Sequence, residues 1–222
     1  MSSLAKEGWS VEPSGLAPEI LATLRRSAFD SAQTDAGQRC LLDLPAVATA
    51  AKEIRTLLIS RDFLTRASVA VQAIAFDKTP GVNWKVTWHQ DVLFPFAAPT
   101  QDAGYELPCV KDGIPYARPP RDVLEHLLAV RLHLDDCHEE NGPLRVISGS
   151  HTLGVLKAKV VSQLAAAELP VTCLANEGDV LLMKPLLLHA SSPATEPSHR
   201  RVLHIVFYDG PPVPERWYRV VS

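Results

Sequence analysis

The hydrophobic pattern divides the chain into a helical first part and a strand-rich remainder. The chain starts with a segment that we expect to be irregular, containing Trp9, Pro13 and Pro18. From Pro18 to about Phe29, apolar residues recur every three or four positions, as on one face of an α-helix. Proline at the first helical position costs no hydrogen bond. The same spacing predicts a second helix from Leu44 or Pro45 to about Ile59, and the Ala and Leu content of Val160–Glu168 predicts a third.

Strand signals begin near residue 68. Short apolar, β-branched runs alternate with turns that contain Asp, Asn, Pro and Gly. These runs predict strands at Val69–Phe76, Val86–Trp88, Arg131–Asp135, Leu144–Ile147, Val180–Leu188 and Arg201–Tyr208.

The segment from Val92 to His126 shows little periodicity and contains six prolines. Loops of this length inside a compact domain are usually functional, so we predict an irregular lid here. Helices followed by short strands indicate an α+β fold whose core is a jelly roll, a double-stranded β-helix of the cupin type. We expect one domain over residues 1–222, with a helical part to about 67 and the jelly-roll core over about 68–210.

Composition limits the possible partners. A net charge of −3 and a pI near 6.2 argue against a nucleic acid or a membrane surface as partner, because both require concentrated positive charge. The four cysteines are far apart and match no zinc-binding spacing. No segment resembles a leader or a membrane span, which predicts a soluble, cytoplasmic protein that acts on a small molecule.

The candidate chemistry starts at Trp88-His89-Gln90-Asp91. In an extended strand, residues two apart share one face, so His89 and Asp91 can contribute two ligands to one metal. One further histidine would complete the 2-His-1-carboxylate triad that holds non-haem Fe(II). The spacing alone is weak evidence, since His133-Leu134-Asp135 repeats it.

The second half of this candidate site lies near the C-terminus. His189 follows the apolar run Leu186–Leu188, at the end of a predicted strand, and Arg200 lies eleven residues later. An arginine can bind a carboxylate through two parallel hydrogen bonds, as a dicarboxylate co-substrate requires. Arg201 is its neighbour and must point to the opposite face, and periodicity alone does not choose between the two arginines.

These motifs together resemble a known family. The stretches Trp88–Asp91, Asn141–Leu144 and Gly149–His151, followed by His189, Ser191 and Arg200, are similar to the signature of the phytanoyl-CoA dioxygenase family, which includes ectoine hydroxylase. The matching region runs from about residue 72 to 208. This family consists of Fe(II)- and 2-oxoglutarate-dependent oxygenases.

The resemblance implies a role for each matching residue. His89, Asp91 and His189 would bind Fe(II), and Arg200 with Ser191 would bind the distal carboxylate of 2-oxoglutarate. Gln72 would face the substrate. The implied reaction uses O2, releases succinate and CO2, and hydroxylates a small molecule whose identity the sequence does not give.

Four further residues are predicted from the sequence to line the cavity or to support it: Lys111, Tyr116, Arg131 and His133. Two other functions stay open. A cupin-like isomerase would keep the three metal ligands but need no Arg200, and a non-catalytic module would only bind the metal. The oligomeric state is also left open.

Overall fold

The computed structural model describes residues 3–29, 37–100, 102 and 104–222. Five helices lie within this part of the chain: α1 Ser3–Glu7, α2 Pro18–Ala28, α3 Pro45–Ser60, α4 Arg121–Glu125 and α5 Ala158–Ala167. Three single 3₁₀ turns occur at Leu41–Asp43, Glu139–Asn141 and Ser150–Leu153. Proline occupies the first position of both α2 and α3, as the sequence predicts.

Twelve strands account for most of the remaining order. They are β1 Trp9–Pro13, β2 Val69–Lys78, β3 Val86–His89, β4 Phe94–Pro95, β5 Glu106–Lys111, β6 Ile114–Arg118, β7 Leu127–His133, β8 Leu144–Ile147, β9 Val171–Cys173, β10 Asp179–Met183, β11 Leu188–Ser191 and β12 Arg200–Tyr208.

Two antiparallel sheets form the core. The larger has the order β1-β10-β7-β12-β2 and the smaller the order β3-β11-β8-β9. Apolar side chains of both sheets meet in one buried cluster, which includes Val146, Leu181 and Val206. This double-sheet arrangement with flanking helices agrees with the predicted α+β jelly roll.

The large sheet separates two environments. On its outer face, Ala75 of β2 and Leu203 of β12 pack against the apolar stripes of α2 and α3, such as Leu24, Ile54 and Leu58. Leu24, Ile54 and Leu58 are fully buried. Burial of one such side chain contributes about 1.5–3 kcal/mol to stability. The two helices therefore have a packing role and leave the inner face for chemistry.

The inner face carries polar side chains in rows across neighbouring strands. Strand pairing aligns Lys78 with Arg200, Ile74 with His204 and Arg131, and Gln72 with Val206 and Ala129. A β-bulge between Val206 and Phe207 shifts the register beside Gln72. Bulges often change the direction of side chains next to functional sites, and Gln72 lines the internal cavity here.

Three sequence predictions were wrong. Residues 9–13, expected to be irregular, form β1 at the edge of the large sheet, where they pair with β10. Residues 92–126 are not a structureless lid, because they hold α4 and a three-stranded sheet of order β4-β6-β5. His189 lies near the start of β11 rather than at the end of a strand, since the chain turns at residues 184–187 between β10 and β11.

Candidate metal centre

Strands β3 and β11 place His89 and His189 opposite each other. The two residues are partners in the antiparallel pairing, and their ring centroids are 4.2 Å apart. Asp91 lies two residues beyond the end of β3, and its backbone N–H donates to the carbonyl of Pro185 at 2.9 Å. That bond holds the carboxylate beside both imidazoles.

Gln90 points away from the centre, as the alternation of an extended chain requires. Its amide nitrogen donates to the carbonyls of Gly154 at 2.8 Å and Leu186 at 2.6 Å, and its amide oxygen accepts from the backbone of Leu156 at 2.8 Å. Gln90 thereby ties the His89–Asp91 stretch to two neighbouring loops, while the residues on either side face the cavity.

The nitrogen and oxygen atoms of His89, Asp91 and His189 form one compact group. One ligand atom from each residue lies within 4.8 Å of the other two. The carboxylate oxygens Oδ1 and Oδ2 of Asp91 are each 3.7 Å from an Nε2 atom, that of His89 and that of His189 respectively.

Backbone carbonyls set the tautomer of both imidazoles. Nδ1 of His89 lies 2.8 Å from the Thr87 carbonyl, and Nδ1 of His189 lies 2.9 Å from the Leu187 carbonyl. A carbonyl oxygen only accepts, so each Nδ1 carries the hydrogen and each Nε2 lone pair is free to bind a metal.

Burial adjusts the charge states of the centre. It lowers the pKa of His189 to about 4, so this imidazole is neutral and ready to bind at neutral pH. Burial alone would raise the pKa of Asp91, but attraction to His189, His204 and His89 outweighs it, and the pKa is lowered. Two nitrogens and a carboxylate oxygen in this state fit a divalent transition metal.

A second polar cluster consists of Arg200 and Ser191, which line the cavity, and of Lys78 beside them. Arg200 is buried, donates to the carbonyl of Gly142, and leaves its Nε without a hydrogen-bond partner. Lys78 is also buried, and its Nζ lies 3.2 Å from Oγ of Ser191 and contacts the carbonyl of Ser192. Within the described residues neither cation forms an ion pair with a carboxylate.

Burial, with repulsion from Arg200, lowers the pKa of Lys78 to about 7. Two adjacent buried cations without a counter-ion are costly unless an anion joins them. The cluster is therefore suited to a carboxylate ligand.

The two neighbouring arginines have different surroundings. Arg200 lines the cavity, whereas Arg201 lies on the opposite face of β12 and forms a two-pronged ion pair with Asp135 at 2.9 and 2.7 Å. Asp135 thus belongs to an outer ion pair. His133 is buried on the inner side, but it does not line the cavity and neither of its ring nitrogens has a partner.

The cavity has a volume of about 370 Å³. Nine of the ten site residues predicted from the sequence line this cavity: His89, Asp91, His189, Arg200, Ser191, Gln72, Arg131, Tyr116 and Lys111. The tenth, His133, lies outside the lining. Tyr116 is buried, and Nζ of Lys111 lies 5.0 Å from its ring centroid.

Part of the cavity wall comes from segments outside the two core sheets. Lys111 and Tyr116 come from β5 and β6, the hairpin whose tip carries Asp112. Arg39 forms an ion pair with Asp112 at 3.6 Å, and Sγ of Cys40 lies 3.7 Å from the Tyr116 hydroxyl. The segment that carries Arg39 is itself fixed to β2 by two backbone hydrogen bonds between Gln38 and Ala75.

Sequence reasoning missed Lys78, Arg39 and the position of His204. Strand spacing in the sequence could have identified two of these three residues. Lys78 is six residues after Gln72 in one strand, and His204 is four residues after Arg200, so each shares a face with a predicted site residue. No sequence pattern marks Arg39, which reaches the cavity only through tertiary packing.

A protein-family model matches most of the chain. The model described as phytanoyl-CoA dioxygenase (PhyH) matches residues 13–202. The chain belongs to the phytanoyl-CoA dioxygenase family. This membership confirms the resemblance found in the sequence, and with it the expected class of enzyme, a dioxygenase that uses Fe(II), 2-oxoglutarate and O2.

Solved structures share the jelly-roll fold of this phytanoyl-CoA dioxygenase family member. HygX from Streptomyces hygroscopicus, with nickel and 2-oxoglutarate bound, superposes with a TM-score of 0.64 at 16% identity, covering 93% of this chain and 84% of HygX. AviO1 from Streptomyces viridochromogenes Tue57 gives 0.63 at 19% identity, with 96% and 95% covered. EctD from S. alaskensis, with 2-oxoglutarate and 5-hydroxyectoine, gives 0.66 at 18% identity, with 93% and 74% covered.

No curated protein matches the chain significantly in sequence. Across the described residues, no helix combines the length and apolar character that a membrane crossing needs.

Proposed function

We propose that His89, Asp91 and His189 hold the Fe(II) of this dioxygenase. The observation that carries this assignment is their compact arrangement, with one ligand atom of each residue within 4.8 Å of the others and both Nε2 lone pairs free. Two imidazoles and one carboxylate on one side of a metal leave positions open for co-substrates, which suits non-haem Fe(II) oxygenases.

We further propose that Arg200, Lys78 and Ser191 bind the distal carboxylate of 2-oxoglutarate. Arg200 offers an unpartnered Nε, and Lys78 and Ser191 offer polar hydrogens beside it. The two positive charges can neutralise the carboxylate while the other end of 2-oxoglutarate reaches the metal. Arg201 is excluded from this role because it is already paired with Asp135.

With iron and 2-oxoglutarate bound, the cofactors supply an oxidation that consumes O2, releases succinate and CO2, and, in our proposal, hydroxylates the substrate. The protein orients the reactants and excludes water. Apolar side chains of Ile74, Phe76 and Leu144 form part of the cavity wall and limit solvent access to the centre.

The substrate, in this proposal, is a small molecule that enters between Gln72, Tyr116 and Lys111. Cationic groups outnumber carboxylates along the lining, since Arg39, Lys111, Arg131 and Arg200 face one carboxylate, that of Asp91. This balance favours a substrate with a polar or anionic group. HygX has been crystallised with hygromycin B and EctD with 5-hydroxyectoine, which supports a small-molecule substrate here. With a net charge of −3, we expect neither a nucleic acid nor a membrane surface as partner.

The test is an anaerobic titration of the purified protein with Fe(II) and then 2-oxoglutarate. Chelation of Fe(II) by 2-oxoglutarate gives a weak visible charge-transfer band, which we expect for the wild type. Arg200→Ala should bind Fe(II) normally and need far more 2-oxoglutarate, whereas His189→Ala should lose the metal. Bound iron without the band would favour a cupin-like isomerase or a metal-binding module, since neither needs Arg200.

A further inference from the structure

His204 and Arg131 form a buried pair that the proposed function does not use. They are register partners on β12 and β7, and both are buried. A guanidinium nitrogen of Arg131 lies 3.4 Å from Nδ1 of His204. The Arg131 guanidinium also lies over the ring of Phe76, 5.5 Å from its centroid, and its Nε has no hydrogen-bond partner.

The pair fixes the tautomer of His204. A guanidinium only donates hydrogen bonds, so Nδ1 of His204 must be the acceptor and the ring hydrogen must lie on Nε2. This tautomer is the reverse of that in His89 and His189, whose Nδ1 atoms face backbone carbonyls.

The Nε2 of His204 faces the metal centre. It lies 3.9 Å from Oδ2 of Asp91, the same carboxylate oxygen that lies 3.7 Å from Nε2 of His189. The chain of contacts therefore runs from Arg131 through His204 to one oxygen of the carboxylate. Among the described residues no carboxylate forms an ion pair with Arg131, so Asp91, reached through the imidazole, is the acidic group to which this cation is connected.

We propose that His204 is a positioning residue that donates its Nε2 hydrogen to the Asp91 carboxylate and so fixes the orientation of this iron ligand. Arg131 supports this role by holding the tautomer. The inference rests on the proposed assignment of the iron ligands.

The orientation of a ligand gives the reason for such a contact. Hydrogen bonds to a ligating side chain fix its orientation, and their loss commonly costs roughly ten- to hundredfold in metal affinity. His204 would therefore hold the Asp91 carboxylate in the orientation in which it would bind iron.

The inference is testable without a substrate. In the Zn(II)-loaded wild type with ¹⁵N-labelled histidine, NMR correlation of ring nitrogens and carbons should show His204 with its hydrogen on Nε2 and the two ligand histidines with theirs on Nδ1. Resonances are assigned from variants that each replace one of the other histidines, which leaves His204 by elimination. A His204 hydrogen on Nδ1 would overturn the inference, and this measurement needs no variant of His204 to fold perfectly.

Metal affinity provides the second readout. We expect His204→Phe to weaken Fe(II) binding roughly ten- to hundredfold, as loss of a hydrogen bond to a ligand commonly does. His204→Gln keeps an N–H donor and should recover most of this loss. His133→Phe is the matched control, since His133 is another buried histidine on the same side of the sheet that contacts no proposed ligand, and it should retain wild-type affinity.

Spectra of the Cu(II)-loaded proteins separate the remaining outcomes. If His204→Phe removes one nitrogen from the hyperfine pattern, His204 is a ligand and the positioning role is wrong. If His204→Phe binds metal as tightly as the wild type, the role is also wrong, although the iron site stands provided the wild type still gives the 2-oxoglutarate band. Absence of that band in the wild type would instead refute the proposed function itself.

Discussion

Lys78 and Arg200 are direct partners in the pairing of β2 with β12, and both are buried; Arg200 lines the cavity, and Lys78 contacts Ser191, which also lines it. Two like charges in such a position repel each other. The arrangement becomes favourable when a carboxylate joins them, which is why we propose that the distal carboxylate of 2-oxoglutarate binds here.

This pairing predicts a pH dependence of 2-oxoglutarate binding. The pKa of Lys78 is lowered from 10.5 to about 7, mainly by burial. The bound carboxylate favours the charged lysine, so above pH 7 binding must take up a proton, and affinity should fall by at most about tenfold per pH unit. Below pH 7 the lysine is charged in both states and contributes no dependence.

Calorimetry of the Ni(II)-loaded protein at pH 8.5, in buffers with different ionisation enthalpies, should therefore show uptake that approaches one proton. Lys78→Met should bind 2-oxoglutarate more weakly at pH 7 and show little uptake at pH 8.5. Identical proton uptake in the variant and the wild type would assign the dependence to another group.

Arg201→Ala should leave the 2-oxoglutarate dissociation constant unchanged while lowering stability. Its two-pronged ion pair with Asp135 is partly buried, and its loss should cost about 1 kcal/mol. For a chain of this size the melting temperature should fall by about 2–4 °C. Arg200→Ala should show the opposite balance. A weaker 2-oxoglutarate affinity in Arg201→Ala would contradict the assignment of Arg200.

Gly142→Ala should weaken 2-oxoglutarate binding severalfold. Gly142 has a φ of +73°, and an added Cβ would lie 2.7 Å from the Ser192 carbonyl oxygen and 3.1 Å from Nζ of Lys78. Gly15→Ala is the control, because Gly15 has a similar φ of +66° with no atom near the added Cβ. Both variants should lose about 1 kcal/mol through backbone strain, but only Gly142→Ala should change the affinity measured by calorimetry.

Gln90→Ala should destabilise the metal centre through the loops. The side chain satisfies three backbone groups, and their loss should cost about 2 kcal/mol, or roughly 4–8 °C in melting temperature. Fe(II) affinity should fall with it, because Asp91 loses its anchored neighbour. Gln163→Ala, at an exposed position of α5, should stay within about 0.5 kcal/mol of the wild type. A stable Gln90→Ala protein with normal iron affinity would refute this role.

Local spacing accounts for the parts of the site that the sequence predicts. His89 and Asp91 share a face because they are two residues apart in an extended chain, and Arg200 differs from Arg201 by the same rule. The helices at Pro18–Ala28 and Pro45–Ser60 follow from their apolar periodicity. In each case a single segment contains the necessary information.

Features that depend on distant partners were missed. Strand β1 exists because it pairs with β10, more than 160 residues away in the chain, and the sheet at 94–118 exists because β6 pairs on both sides. Lys78 reads as an ordinary turn lysine until β12 places Arg200 beside it. The role proposed for His204 depends on its contacts with Arg131 and Asp91, which come from distant parts of the chain.

The division of the cavity wall has a further consequence. The proposed iron ligands and 2-oxoglutarate cluster lie on or beside the two core sheets, whereas Lys111, Tyr116 and Arg39 come from a hairpin and a short segment outside them. In our proposal the oxidising centre and most of the substrate contacts thus lie on different segments of the chain, with Gln72 of β2 shared between them. Exchange of the 106–118 hairpin between relatives should therefore change the preferred substrate while Fe(II) and 2-oxoglutarate binding are retained.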